Sequence, residues 1–319
     1  MVLEKVLSTT KYVVRHSQSV KINHDNLKTL VKRIKHQKPP AWSPLKYHFI
    51  GQASETVQYL FILDSLDFTL FPQPFQGQWR IFLGKEKISG FFALSSALKN
   101  AIKKYPLLDC RFLKNITTSA LREIFRGENE IPLLELRQKI LRQNAAILLK
   151  NFNGQAVNIV KQANHNAQQL VEILTANFPC LNDTTMYRGK KIHFRKHAQI
   201  LTGDIWGALK GKGYGRFNDI HKLTCFADYK LPQLLRHFGV LEYAPSLAKK
   251  IQQRQYLKSG SMPEVEIRAN TIWAIEAIKN ELKREGVIFL SCQIDWLLWN
   301  MAKRIKMAEP HHQTRTIFY

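Results

Sequence analysis

Twenty consecutive residues, LLELRQKILRQNAAILLKNF (133–152), contain neither proline nor glycine. They place Leu133, Leu136, Ile140 and Leu141 near one face of a helix. A chain with such a segment must bury that stripe against other elements, and the same periodicity recurs along most of its length. The spacing predicts a helix capped by Asp25 and running to about Lys38, where Pro39 and Pro40 stop it. Another starts after Gly154, at about Gln155, and reaches Phe178 before Pro179. Two more are expected near 265–285 and 290–308, and Leu3, Val6, Leu7, Val13 and Val14 suit one face of a short N-terminal helix. Strand signals are fewer: VQYLFILD (57–64), WRIFLG (79–84) and RGKKIHF (188–194) combine β-branched or aromatic residues with flanking turns. The expectation is a mainly α fold with a small β-sheet. No internal repeat and no Gly-, Pro- or Ser-rich linker divides the 319 residues, so one integrated domain over 1–319 is expected.

Apolar residues make up 45% of the chain and charged residues 23%, which excludes a disordered tail, a collagen-like fibre and a low-complexity scaffold. Lysine and arginine total 48 against 24 acidic residues, a net charge of +24 that raises affinity for any polyanion. Cys110, Cys180, Cys225 and Cys292 lie far apart with no CxxC pair, which argues against a disulfide framework or a zinc ribbon. The N-terminus MVLEKVLSTTKYVVRH lacks the continuous apolar region and small-residue cleavage site of a signal peptide. Apolar stretches such as 59–63 fall far short of the roughly 20 residues that span a bilayer. The expectation is a soluble, cytoplasmic protein with no membrane partner.

Several motifs invite a function and do not carry one. Gly211-Lys212-Gly213-Tyr214-Gly215 lacks the GxxxxGK spacing of a phosphate loop, and Arg216 stands where a dinucleotide fingerprint needs glycine, so a turn is expected. His193 and His197 are four apart but have no HExxH glutamate, and His311-His312 is no stronger; no metal site is expected. Cys225 reads as a small buried hydrophobe. The basic runs 188–197 and 27–36 suit either an RNA-binding face or a solvated surface, with Leu27, Leu30, Val31 and Ile34 of the second turned inward.

Two segments resist a bland explanation. LFILDSLDFTLF (60–71) sets Asp64 and Asp67 in an apolar, aromatic stretch, and FADYKLPQLL (226–235) sets Asp228 between Phe226 and Tyr229. Carboxylates in such settings are costly unless paired or hydrogen-bonded, so each implies a partner or a ligand. Either Asp64 or Asp67 caps the turn that follows, or the three aspartates and interleaved rings form a pocket for a flat ring bearing hydrogen-bond donors.

At these residues the chain resembles the queuosine salvage proteins, a family of queuosine 5′-phosphate N-glycosylases. The matching blocks are LKYHFIGQ, LFILDSLDFTLF, SGFFALSSALKNA, KIHFRKHAQILTGDIW, FNDIHKLTCFADYKLPQLLRHFGVLEY, PEVEIRANTIWAIE and the terminal TRTIFY, in the family's order. Two positions depart from it. Asp67 stands where asparagine is usual, which removes a donor and adds a charge; Phe71 stands where tryptophan is usual, which keeps a stacking face and loses the indole N–H.

The resemblance implies a fold like that of helical DNA glycosylases and hydrolysis of the N-glycosidic bond of queuosine 5′-monophosphate, releasing queuine for reinsertion into tRNA. It implies Asp228 as the carboxylate that stabilises an oxocarbenium-like sugar, and Lys196 at the ribose-phosphate or the leaving group. Asp64 or Asp67 would meet the base edge or the ammonium of the base's substituent, and Asp204 would contact the sugar or base or hold Trp206. Phe71, Phe226 and Tyr229 would stack. His48, Glu266, Arg268 and Arg315 fall in matching blocks; Arg268 and Arg315 suit phosphate, against intramolecular pairing of Arg268 with Glu264 or Glu266. No cofactor is expected and no stable nucleic-acid complex is required. The residues leave open a non-catalytic, basic tRNA- or RNA-binding protein and, more remotely, a DNA glycosylase, for which no GVG-type phosphate-gripping hairpin is present. A nucleotide carries about two negative charges, too few to explain the whole charge excess.

Overall fold

The computed structural model describes residues 2–43, 45–72 and 76–319. Fourteen α-helices and six short strands occur among them. In chain order these are α1 (Val2–His16), β1 (Val20–Ile22), α2 (His24–Ile34), α3 (Ala53–Ser65), β2 (Arg80–Leu83), β3 (Glu86–Ser89), α4 (Phe91–Ile102), α5 (Cys110–Lys114), α6 (Thr118–Ile124) and α7 (Leu134–Asn151). Then come α8 (Ala156–Gln162), α9 (Ala167–Asn177), β4 (Thr184–Tyr187), β5 (Lys190–His193), α10 (Lys196–Ala208), α11 (Lys230–His237), β6 (Leu241–Tyr243), α12 (Pro245–Gln252), α13 (Met262–Arg284) and α14 (Ser291–Arg304). The fold is mainly α. The strands form three separate antiparallel pairs, not one sheet: β2 with β3, β4 with β5, and β1 with the distant β6, where Val20 faces Tyr243.

Helix α13 packs against α1, α2, α11 and α14 and has Val265, Ile267, Ile272, Ile275 and Ile278 buried along it. On α1, of the predicted face Leu3, Val6 and Val13 are buried, with Val2 beside them, while Leu7 and Val14 are half-buried; on α2 the face is realised by Leu27, Leu30, Val31 and Ile34. The cap of α2 is Asn23, not Asp25: its Oδ1 accepts from the Asp25 and Asn26 amides at 3.1 and 3.0 Å. Asp25 lies in the first turn, where its charge suits the helix dipole.

Three further expectations are corrected. Residues 57–64 are helical, within α3, not a strand. Every position from Thr56 to Ser65 is buried, so the segment is apolar all round and shows no helical stripe, and such a run is ambiguous by pattern alone. The helix expected over 155–178 breaks into α8 and α9, because Asn164 and His165 take positive φ (43° and 60°) and Asn166 then caps α9, accepting the Gln169 amide at 2.8 Å. On α7, Leu136 turns outward and Arg137 takes the inner face, fully buried. Its guanidinium donates to the carbonyls of Pro132 (2.8 Å), Phe68 (2.7 Å) and Leu66, and so clamps the loop that leaves α3. All four cysteines are buried thiols, and no helix of the described residues is long and apolar enough to cross a membrane.

Candidate active site

A cavity of about 660 Å³ opens where four pieces of chain meet: the loop after α3, helix α10, the loop entering α11, and helix α14 with the C-terminal tail. That volume lies within the range of sites that enclose a small molecule.

Lys196 opens α10, and its position is set from behind. The Asp183 carboxylate accepts the Lys196 amide at 3.3 Å while Arg268 grips the same carboxylate, at 3.0 Å through Nη1. In front, Lys196 Nζ donates to Asp67 Oδ2 at 2.6 Å, with the two side chains 3% and 14% exposed. Burial alone would push the Asp67 carboxyl up, but Lys196 and His197 hold it below the usual range. Burial likewise opposes the Lys196 ammonium, and Asp67 and Asp228 outweigh it and raise its pKa. Both members of the pair are therefore ionised.

Asp228 caps α11: its Oδ1 accepts the amides of Lys230 and Leu231 at 2.8 and 2.9 Å. Among the described residues its other oxygen has no hydrogen bond, and the residue lines the cavity. Burial pushes this carboxyl up, opposed by Lys196 and by the Leu231 amide. Its loop is pinned on both sides. The Thr224 amide donates to Gln199 on α10 (2.9 Å), and the Phe226 amide to Asp295 on α14 (2.7 Å).

Asp204 sits two turns along α10 from Lys196, lines the cavity and is 3% exposed. Burial pushes its carboxyl up to about 7, with the nearby Trp42 indole opposing. Asp295 also lines the cavity, and burial together with the neighbouring Asp228 drives it well above the ordinary range. Rings complete the walls. Phe71 meets Tyr229 edge-on at 5.3 Å and His311 at 5.2 Å, and Trp42, Trp296 and Trp299 line the cavity as well. Lys230, Arg254 and Lys303 add positive charge.

Of the residues singled out from the sequence, Asp67, Phe71, Lys196, Asp204, Phe226, Asp228 and Tyr229 line this cavity. Four do not. Asp64 is fully buried behind the wall, both carboxyl oxygens lack a hydrogen-bond partner, and burial drives its pKa well above the ordinary value. His48 is buried against Ser43 Oγ (2.7 Å), and burial pushes it down to about 3. Arg268 is committed to Asp183 and lies 3.7 Å from Glu264; this guanidinium is a strut, not a cavity group. Arg315 is exposed and borders a separate concavity of about 390 Å³. Glu266 is structural too, accepting the amides of Gln18 (3.0 Å) and Ser19 (2.6 Å) and the Tyr187 hydroxyl (2.9 Å).

Sequence reasoning missed Asp295, although CQIDWLLW embeds it among apolar residues as LFILDSLDF embeds Asp64. It also missed the tryptophans and Lys230, Arg254, Lys303 and His311, whose convergence no local spacing encodes. Of the basic run 188–197, Arg195, Lys196 and His197 face inward and are buried.

A relative from Sphaerobacter thermophilus is 39% identical over 318 residues, covering 98% of this chain and 97% of its own. One from Mus musculus is 31% identical over 98% of this chain and 97% of its own, and one from Nematostella vectensis 36% identical over 87% and 86%. Each is named queuosine 5′-phosphate N-glycosylase/hydrolase. The family model described as queuosine salvage protein matches residues 45–319, a span that holds every cavity residue named above except Trp42; the chain belongs to the queuosine salvage protein family.

Proposed function

We propose that this chain hydrolyses the N-glycosidic bond of queuosine 5′-phosphate and releases queuine. One observation carries the reading: a single cavity gathers a carboxylate with a free oxygen (Asp228), an ionised Lys196–Asp67 pair, aromatic walls and three further cations. Breaking the C1′–N bond builds positive charge on the ribose. The Asp228 carboxylate, held by two helix-terminal amides, supplies the fixed negative charge that stabilises this state, and it accepts the proton of the attacking water. Lys230, Arg254 and Lys303 give a 5′-phosphate its counter-charge. Because Lys196 occupies Asp67, contact with the base edge falls to Asp204 and Asp295, and Phe71, Phe226 and Tyr229 offer faces to planar groups.

Incubating the protein with queuosine 5′-phosphate and following queuine by mass spectrometry tests the activity; no release by the wild-type protein overturns it. The D228N variant is expected to lose at least ~10²-fold in kcat, and wild-type turnover by D228N overturns the assignment of that residue.

A further inference from the structure

Asp204 is flanked by two glycines that shape its surroundings. A Cβ on Gly203 would lie 3.0 Å from Phe226 Cζ, and one on Gly207 would lie 2.7 Å from the Trp42 ring. Two rings therefore press against α10 on either side of this carboxyl, which still reaches the cavity. The Trp42 indole N–H stands beside the carboxyl and opposes its protonation, but burial outweighs it. A buried carboxyl set between two rings favours its neutral form. The departing base is a 7-deazapurine with no N7, so its negative charge must be met by a donor elsewhere on the ring.

Resting on the functional reading above, we propose that Asp204 is the general acid of the reaction, protonated before bond cleavage and aimed at the leaving base. As the C1′–N bond breaks, its electron pair passes to the base and the Asp204 proton goes to a ring nitrogen or the carbonyl oxygen of that base. Water adds its oxygen to C1′ and gives its proton to Asp228. The net change is one water split between sugar and base, and exchange with solvent returns the proton from Asp228 and restores it to Asp204.

Of the groups facing Asp204, the ionised Asp67 of the loop after α3 favours its proton, while Lys196 on α10 and the Trp42 indole N–H oppose it. Asp64 and Tyr59 from α3 and Cys292 and Asp295 from α14 also face it, and burial favours the neutral form of each. With the Asp204 carboxyl pushed up to about 7, the acid form holds below that pH, which predicts an alkaline fall of kcat/KM.

The test compares leaving groups. With queuosine 5′-phosphate, D204N is expected to lose roughly 10²–10⁴-fold in kcat and to lack the alkaline limb of the wild-type pH profile. With 4-nitrophenyl β-ribofuranoside 5′-phosphate, whose leaving group departs without a proton, D204N is expected to lose less than about fivefold, whereas D228N fails on both substrates. Equal losses by D204N on the two substrates, a loss through KM alone, or an unaltered alkaline limb overturns the inference. If the nitrophenyl compound is not turned over by the wild-type protein, the alkaline limb decides. Wild-type protein inert on queuosine 5′-phosphate removes the functional reading and this inference together, so the two failures are distinguishable.

Discussion

Arg268 and Asp183 are each 3% exposed and face one another across the interior, so neither charge has water to fall back on. The pair positions the site indirectly: Asp183 also accepts the amide of Lys196, and the Arg268 guanidinium lies over the ring of the last residue, Tyr319, at 4.4 Å from its centroid. Removing one member of a buried pair strands the other. R268M is therefore expected to destabilise the fold by about 3–5 kcal/mol, read as a lower urea midpoint at unchanged slope; a loss under about 1 kcal/mol would mean that water or another cation replaces the guanidinium. From the sequence, an arginine in a matching block reads equally well as a phosphate fork or a strut. Only its distance to Asp183, 85 positions away in the chain, decides. The aspartates were more legible, because a carboxylate amid apolar residues is conspicuous in any fold. Their division into an ionised one at Lys196, a capping one at α11 and neutral ones elsewhere depends on neighbours that the order of residues does not name.

At the level of elements, α10 carries the site because its small residues let other parts of the chain approach. Gly207 admits Trp42 to within 2.7 Å of where a Cβ would stand, and Gly203 admits Phe226. G207A places a methyl group 2.7 Å from the Trp42 Cβ as well as from its ring, so the backbone at Trp42 must move with the ring, against a gain of up to about 1 kcal/mol from alanine over glycine in a helix. The expected outcome is a lower thermal stability together with a several-fold rise in KM, as one wall of the cavity moves. A fall in stability with KM unchanged would place the ring's importance in the fold and not in the site. The elements themselves differ in how legible they were. Helix α7 and the strands β2 and β5 were readable as elements, from a long run without proline or glycine and from short β-branched or aromatic runs beside turns, whereas their partners β3 and β4 and the inward turn of Arg137 were not. Helix α3 was not, because burial on every side from Thr56 to Ser65 removes the contrast on which periodicity rests. The break between α8 and α9 was hidden because asparagine and histidine are unremarkable within a helix until their φ turns positive.

Across the whole molecule the +24 charge and the interior titrations act together. His48 and His312 are pushed down to about 3 and His197 to about 4, each mainly by burial, against an ordinary 6.5. The unfolded chain thus binds more protons than the fold between about pH 4 and 6.5, so these histidines make stability rise with pH across that window and fall on acidification. Acid also adds positive charge to a chain that already repels itself. Asp204 works in the opposite direction. Its carboxyl, ordinarily at 3.8, is pushed up to about 7 by burial, so the fold holds a proton that the unfolded chain has lost. Its stabilising contribution is complete below 3.8 and is lost as pH rises toward 7. Asparagine keeps the shape and removes the titration. Relative to wild type, D204N should therefore gain on the order of 2 kcal/mol in unfolding free energy between pH 5 and pH 7, measured by urea unfolding at the two pH values. A difference that stays constant with pH would mean that Asp204 is ionised throughout. It would also remove the neutral carboxyl on which its role as an acid depends, independently of any turnover measurement.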